Sequence, residues 1–149
     1  MKALGLMLIA TVTCTSAIAN DYTLKKKQIR QNLIQCLDDP DHYNSVGFNQ
    51  CIVQAGQQFK QAADLKMQRH IQTETQASIR QGWIKDRAIH HQAIKSCDNQ
   101  TELNFQGYAY AAKCELKRSQ DYYSYSMFDE TPHTDWTTAQ HVDALFIGY

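Results

Sequence analysis

The chain contains few residues that break helices or mark linkers. Only two prolines, Pro40 and Pro132, and six glycines occur among its 149 residues, and it has no Gly/Ser-rich tract and no internal repeat. A boundary between two domains is normally marked by such segments. The sequence therefore predicts one domain with a single hydrophobic core.

Motifs for metal, nucleotide or covalent chemistry are also absent. The sequence has no C-x₂-C pair and no His-x₃-His, and the aspartates around Pro40 lack the glycine and glutamate of an EF-hand. We expect no metal ion, no cofactor and no enzymatic activity. Asp86 and His90 lie four residues apart on a predicted helix, and we interpret them as a structural pair. An enzyme that uses them as acid and base is the alternative.

Neither sign of charge dominates, since 15 basic residues balance 15 acidic ones. This balance excludes the strongly basic surface of a nucleic-acid-binding protein. No Lys or Arg follows Arg118, so the last stretch is acidic through Asp121, Asp129, Glu130, Asp135 and Asp143. We expect this stretch to attract a cationic protein partner. The alternatives are that it folds back onto the basic residues Lys25 to Arg30 or is merely solvated.

The N-terminus has the layout of a secretory signal peptide. Met1-Lys2 is positively charged, residues 3–12 are apolar, and a small, polar segment ends at Ala19. The apolar run is shorter than the roughly 20 residues that span a bilayer. We predict that residues 1–19 are removed, that the mature chain carries a net charge of −1 because Lys2 is lost, and that the protein is periplasmic or secreted. A lipid anchor on Cys14 is the less favoured alternative, because the residues before it do not fit a lipoprotein signal. No later segment is apolar enough to be an integral membrane segment.

Four cysteines remain after the predicted leader. In an oxidising compartment they predict two disulfides. Cys36 and Cys51 flank one predicted interhelical loop, and Cys97 and Cys114 flank another. This placement predicts the pairs Cys36–Cys51 and Cys97–Cys114, each stapling a helical hairpin. Pairing between the hairpins is the alternative.

Apolar residues at helical spacing predict an all-α fold, a small disulfide-stapled bundle of about four helices over residues 20–128. The first helix should run from Asp21, as its cap, to Leu37, and the second should begin at Ser45. A continuous helix from Ser45 to Cys97 would be about 80 Å long, so we predict a break near Thr73-Glu74-Thr75, with a Thr capping the third helix. Residues 97–101 should form a loop. Residues 129–149 should form an irregular acidic tail, packed on the domain or extending from it.

The fourth predicted helix is rich in tyrosine. Its apolar stripe is formed by Phe105, Tyr108, Ala112, Leu116, Tyr123 and Met127, while Cys114 lies on the opposite face beside Tyr110 and Tyr125. A helix contacted on two sides should be central in the bundle. Several tyrosines should be buried, and we consider Tyr122 and Tyr125 for an exposed binding patch, because tyrosine is enriched at interfaces.

One stretch resembles a known family. The residues Gln81-Gly82-Trp83-Ile84-Lys85-Asp86-Arg87, with Ala62-Ala63-Asp64-Leu65 before them and Ala111-Ala112-Lys113-Cys114 after, resemble the LprI-like lysozyme inhibitor family. His91 stands close to the place where that family has a cysteine. The resemblance implies a periplasmic or secreted helical protein that binds a cell-wall hydrolase.

These observations together predict a non-enzymatic binding protein, and the resemblance implies that it inhibits a lysozyme-type peptidoglycan hydrolase. An immunity protein against a secreted toxin and an envelope small-molecule binding module are the alternatives. The candidate binding residues are Trp83, Arg87, Tyr122, Tyr125, Asp129, Glu130 and Asp135.

Overall fold

A computed structural model describes the backbone of residues 13–42, 44–103 and 107–128, and the side chains of residues 21–42, 44–99 and 107–127. Its described residues form four α-helices, namely α1 (Thr13–Leu37), α2 (Ser45–Thr73), α3 (Ala77–Lys95) and α4 (Gly107–Phe128), together with two 3₁₀ helices at Pro40–His42 and Ser96–Leu103. The predicted all-α bundle of four helices is confirmed. The start of the predicted leader, Phe105 and the predicted tail lie outside the described residues.

Helix α1 begins earlier than its sequence pattern predicts. The predicted cap, Asp21, lies in the third turn of the helix, because helical backbone extends upstream to Thr13. The helix ends just before Pro40, as expected from the missing amide hydrogen of proline. Among the described residues, no helix combines the length and apolarity needed to cross a bilayer.

The first turn of α2 is closely packed against the preceding 3₁₀ helix. Asn44 caps α2, since its side-chain oxygen accepts a 2.8 Å hydrogen bond from the amide of Gly47. A Cβ atom on Gly47 would lie 2.5 Å from the Cα atom of His42. The close approach of the two segments therefore requires glycine at position 47.

The predicted break between the second and third helices is confirmed, but the residue that precedes α3 is not the predicted one. Helix α2 ends at Thr73, Glu74 and Gln76 have extended backbone, and α3 begins at Ala77. Gln76 rather than a threonine is the residue before α3, and its side chain makes no capping hydrogen bond. Instead, the Arg80 guanidinium donates to the carbonyl oxygen of Glu74 at 2.8 and 3.0 Å and so ties α3 to the end of α2.

Helices α2 and α4 form the central pair of the bundle, and each also contacts α1 and α3. Their backbones come close at Gly56, where a Cβ atom would lie 3.3 Å from the Cα atom of Leu116. The predicted central position of α4 is therefore correct, although α2 shares it. The core contains Ile29, Ala55, Phe59, Ala63, Met67, Trp83, Ile94, Tyr122, Tyr123 and Met127.

The predicted apolar stripe of α4 is wrong at its N-terminal end. Ala112, Tyr123 and Met127 are buried as predicted, but Tyr108 is 67 % exposed. The reason is an open groove between the N-terminal parts of α2 and α4, which Tyr108 lines. Its ring therefore faces solvent on one side.

Both predicted disulfides are present. Cys36–Cys51 joins the end of α1 to α2, and Cys97–Cys114 joins the second 3₁₀ helix to α4, with a Cα–Cα distance of 5.7 Å in each pair. The alternative pairing between hairpins is excluded, and the predicted loop after α3 is instead a 3₁₀ helix. Each bridge closes a loop of 15 or 17 residues, for which the chain-entropy model gives about 3 kcal/mol of stabilisation.

Candidate functional site

Three helices meet at the carboxylate of Asp64, which α2 places beside its buried stripe. The Oδ1 atom of Asp64 lies 2.6 Å from Nε2 of His91 and accepts a 3.1 Å hydrogen bond from Nε of Arg87, both on α3. The hydroxyl of Tyr122 on α4 donates to the same oxygen at 3.0 Å. Because an ionised carboxylate only accepts hydrogen bonds, Nε2 of His91 carries the proton in this contact.

The second oxygen of Asp64 faces a cation. The Nζ atom of Lys60, one turn earlier on α2, lies 3.2 Å from Oδ2. Four side chains from three helices thus donate to one carboxylate, which is only 21 % exposed. We call this group, Lys60, Asp64, Arg87, His91 and Tyr122, the Asp64 cluster.

The Asp64 cluster fixes the protonation states of its carboxyl and phenol groups. Burial raises the pKa of Asp64, but the hydrogen bonds from His91, Lys60 and Tyr122 lower it by more, so that the pKa is below its ordinary value of 3.8. Burial, with the adjacent carboxylate of Asp64, raises the pKa of Tyr122. Asp64 is therefore ionised and Tyr122 protonated at neutral pH, which suits a stable hydrogen bond and leaves neither group ready to exchange a proton.

A layer of aromatic and histidine rings lies next to the Asp64 cluster. His90 stacks on Tyr122 with 4.7 Å between ring centroids and lies 4.8 Å from Tyr125. Trp83 contacts Tyr125 on one side and stacks on His70 of α2 at 4.9 Å on the other. These rings fill the space where α2, α3 and α4 meet.

Asp86 and His90, the pair with potential acid/base chemistry, are both more than nine-tenths buried. Oδ2 of Asp86 accepts a hydrogen bond from the hydroxyl of Tyr125, so that the carboxylate links α3 to α4. Neither residue lines the three surface pockets around Phe48, Val53 and Lys66. Their geometry is that of buried polar contacts between helices.

The residues predicted to bind a partner differ in their exposure to solvent. Trp83 and Tyr122 are 2 % and 0 % exposed, so the exposed patch predicted for Tyr122 is wrong and Trp83 is a core residue. Tyr122 is buried because α4 turns it toward His90 and Asp64. Arg87 and Tyr125 keep part of their surface accessible. Asp129, Glu130 and Asp135 lie outside the described residues.

Asp121 differs from the other acidic residues of the C-terminal stretch. It lies on α4, and its carboxylate accepts a 2.8 Å hydrogen bond from Lys117, one turn earlier. Its charge is therefore balanced locally. The residues left to attract a cationic partner are Asp129, Glu130, Asp135 and Asp143.

The contact between Asp64 and His91 was not predicted from the sequence. They are 27 residues apart, and only the packing of α3 on α2 brings them together. One local signal was available: Asp64 directly follows Ala62 and Ala63 on the apolar stripe of α2. A carboxylate in such a position needs partners from a neighbouring element.

Among the described residues, one group has three potential metal-ligand atoms close together, namely Cys36, His42 and Cys51. The two sulfur atoms are bonded to each other. Metal binding by cysteine requires thiolates, so the oxidised protein offers only the His42 ring at this position. The geometry is that of a structural disulfide with a neighbouring imidazole.

The largest of the three pockets is the groove between the N-terminal parts of α2 and α4, with a volume of about 880 Å³. We call it the α2/α4 groove. It is lined by Ser45, Val46, Asn49, Gln50, Val53, Gln54, Gln57, Tyr108, Ala109 and Ala112. Val46 and Tyr108 are among the most exposed large apolar side chains of the described residues, at 64 % and 67 %.

Comparison with known proteins gives no relative: no family model, no curated protein and no solved structure matches the chain.

Proposed function

We propose that the protein is a non-enzymatic binding protein outside the cytoplasm that inhibits a lysozyme-type peptidoglycan hydrolase. The observation that supports this most strongly is the use of its buried and half-buried ionisable residues. Asp64, Asp86 and His91 all hydrogen-bond across helix interfaces. Residues committed in this way hold the fold together, and activity then depends on the surface that the fold presents.

The extracytoplasmic location is supported by the two disulfides and the predicted leader. One bridge staples α1 to α2, and the other staples the end of the α3 segment to α4. Disulfides of this structural kind persist in oxidising compartments. They suit a small protein that must remain folded outside the cell.

The choice of a hydrolase as partner rests on the family resemblance and on charge. Three residues of the resemblance, Asp64, Trp83 and Arg87, form part of the scaffold, since Arg87 binds Asp64 at 3.1 Å and Trp83 is buried. Trp83 therefore cannot contact a partner, and other residues must form most of the contact surface. The four carboxylates after α4, without a Lys or Arg among them, complement a basic enzyme and would speed its association.

A lysis assay tests the proposal. The mature chain from Asn20 is titrated against a lysozyme acting on a suspension of bacterial cells, and turbidity is followed. We expect lysis to slow as the chain is added. No slowing at large molar excess over lysozymes of several types would overturn the proposal.

Two variants test the role of charge. Neutralisation of Asp129, Glu130, Asp135 and Asp143 should lower the association rate at least about tenfold at low salt, with little effect at high salt. The control, Asp38→Asn with Asp41→Asn, changes two exposed carboxylates just after α1 and should leave the rate within about twofold. Equal rates for all three proteins would exclude the acidic stretch from binding.

A further inference from the structure

The α2/α4 groove has the size and shape of a ligand site. Its volume of about 880 Å³ falls within the range of about 300–1,000 Å³ that is usual for such sites. Ser45 and Gln57 mark its ends along α2, so that the groove is about 18 Å long at 1.5 Å per residue. It can therefore hold an elongated molecule.

The wall formed by α2 carries five polar side chains and two valines. Two neighbouring rows run along the helix at four-residue spacing, and they contain Ser45, Asn49, Val53 and Gln57 in one row and Val46, Gln50 and Gln54 in the other. No hydrogen bond occupies the amides of Asn49, Gln50 or Gln57 within the described part of the chain, whereas Gln58, outside the groove, is bonded to Asn32 of α1 at 2.9 Å. The amides of Asn49, Gln50 and Gln57 are thus available to a ligand.

The opposite wall, on α4, supplies one aromatic ring and two small residues. Tyr108 exposes two-thirds of its surface, and Ala109 and Ala112 leave room beside it. An exposed tyrosine offers a flat apolar face together with a hydroxyl group. A ligand in the groove would lie between this ring and the amides of α2.

The composition of the lining restricts the class of ligand. None of its ten residues is charged, so a charged ligand would lose hydration without gaining an ionic partner. A purely apolar chain would leave the amides of Asn49, Gln50 and Gln57 desolvated and unbonded.

We propose that the α2/α4 groove binds a neutral oligosaccharide of N-acetylated sugars. Hydroxyl and acetamido groups both donate and accept hydrogen bonds, and amide side chains do the same. The apolar face of a sugar ring packs on Tyr108, and the acetyl methyl groups contact Val46, Val53 and Ala112. This site goes beyond the inhibition proposed above and does not depend on it.

Calorimetric titration with tetra-N-acetylchitotetraose, which is neutral, tests the site. We expect saturable binding to the mature protein, weakened at least about tenfold by Tyr108→Ala, which corresponds to about 1.4 kcal/mol, and also weakened by Gln50→Ala with Gln57→Ala. Tyr110→Ala is the matched control, because Tyr110 is 57 % exposed on the same helix but does not line the groove. It should bind like the wild type. Since all these side chains are exposed, the variants should unfold at the wild-type temperature.

Three results would overturn the proposal. They are the absence of binding at millimolar sugar, equal losses from Tyr108→Ala and Tyr110→Ala, and Tyr108-dependent binding of an uncharged peptide by a protein that does not bind the sugar. The variant with a neutralised acidic stretch separates the two proposals. It should lose inhibition of the hydrolase and bind the sugar as the wild type does.

Discussion

His91 on α3 and Asp64 on α2 are joined by a contact of 2.6 Å between Nε2 and Oδ1, and Tyr122 on α4 donates to the same oxygen. One carboxylate therefore fastens three of the four helices. Disulfides join the remaining neighbours, α1 to α2 and the second 3₁₀ helix to α4. The bundle is held by the partly exposed Asp64 cluster, by the buried contact between Asp86 and Tyr125, and by two covalent links near its helix ends.

Replacement of Asp64 by asparagine tests the Asp64 cluster. Asp64→Asn keeps the shape of the side chain but removes the charge to which Arg87, His91 and Tyr122 donate. We expect the free energy of unfolding in urea to fall by about 2 kcal/mol, as for charged hydrogen bonds. Lys60→Met is the control, because its partly exposed pair with Asp64 should contribute less than about 1 kcal/mol. Equal losses in the two variants would show that the contacts of Asp64 with Arg87, His91 and Tyr122 add nothing to its pair with Lys60.

The lowered pKa of Asp64 predicts how this stabilisation depends on pH. A carboxyl group with a lower pKa in the folded state stabilises the fold above its unfolded pKa, and this contribution is lost as pH falls through the folded value. The ordinary pKa is 3.8 and the folded value lies below it. The stability difference between wild type and Asp64→Asn should shrink as the pH falls below about 4. A difference that grew as the pH fell from about 5 to 3 would be inconsistent with this assignment.

Glu115 should have the opposite effect. Burial raises its pKa above the ordinary value of 4.5, and the nearby charge of Asp98 adds to this. The ionised form therefore destabilises the fold at neutral pH, and the penalty is relieved as pH falls through the raised pKa. Glu115→Gln should raise the free energy of unfolding at neutral pH by less than about 1 kcal/mol, and the gain should vanish below about pH 4. Urea unfolding at both pH values checks this, and a loss of stability at neutral pH would refute it.

The two buried glycines of α2 allow a matched comparison. Gly47→Ala would place Cβ 2.5 Å from the His42 backbone, so the 3₁₀ helix must move, and we expect a loss of about 1–3 kcal/mol. At Gly56 the nearest backbone atom is 3.3 Å away, and the gain of about 1 kcal/mol from alanine in a helix offsets much of the strain. Thermal unfolding should therefore rank Gly47→Ala below Gly56→Ala. The reverse order would show that the first turn of α2 is less tightly packed than described.

Much of the fold could be predicted because its determinants are local. The spacing of apolar residues predicted the helices, and Pro40 predicted the end of α1. The limit on helix length predicted the break after Thr73. The cysteine pairs followed from their positions at helix ends. These features depend on residues close together in the sequence.

The remaining features depend on how helices pack, which periodicity does not specify. Tyr122 and Tyr108 both occur on a tyrosine-rich helix, yet Tyr122 is fully buried against α3 while Tyr108 faces the α2/α4 groove. The contact between Asp64 and His91 likewise spans 27 residues. Only the relative positions of α2, α3 and α4 decide which of these side chains meet.

The most direct test of the central claim is the stoichiometry of hydrolase inhibition. Lysozyme is incubated with increasing molar ratios of the mature protein for short and long periods, and residual lysis is measured. A non-enzymatic inhibitor predicts a fall in activity that is set by the molar ratio, is independent of incubation time and is reversed when the complex is separated. The account would be contradicted if much less than one molecule of the protein per lysozyme molecule inactivated lysozyme progressively and irreversibly. It would also be contradicted if lysis were undiminished at every molar ratio.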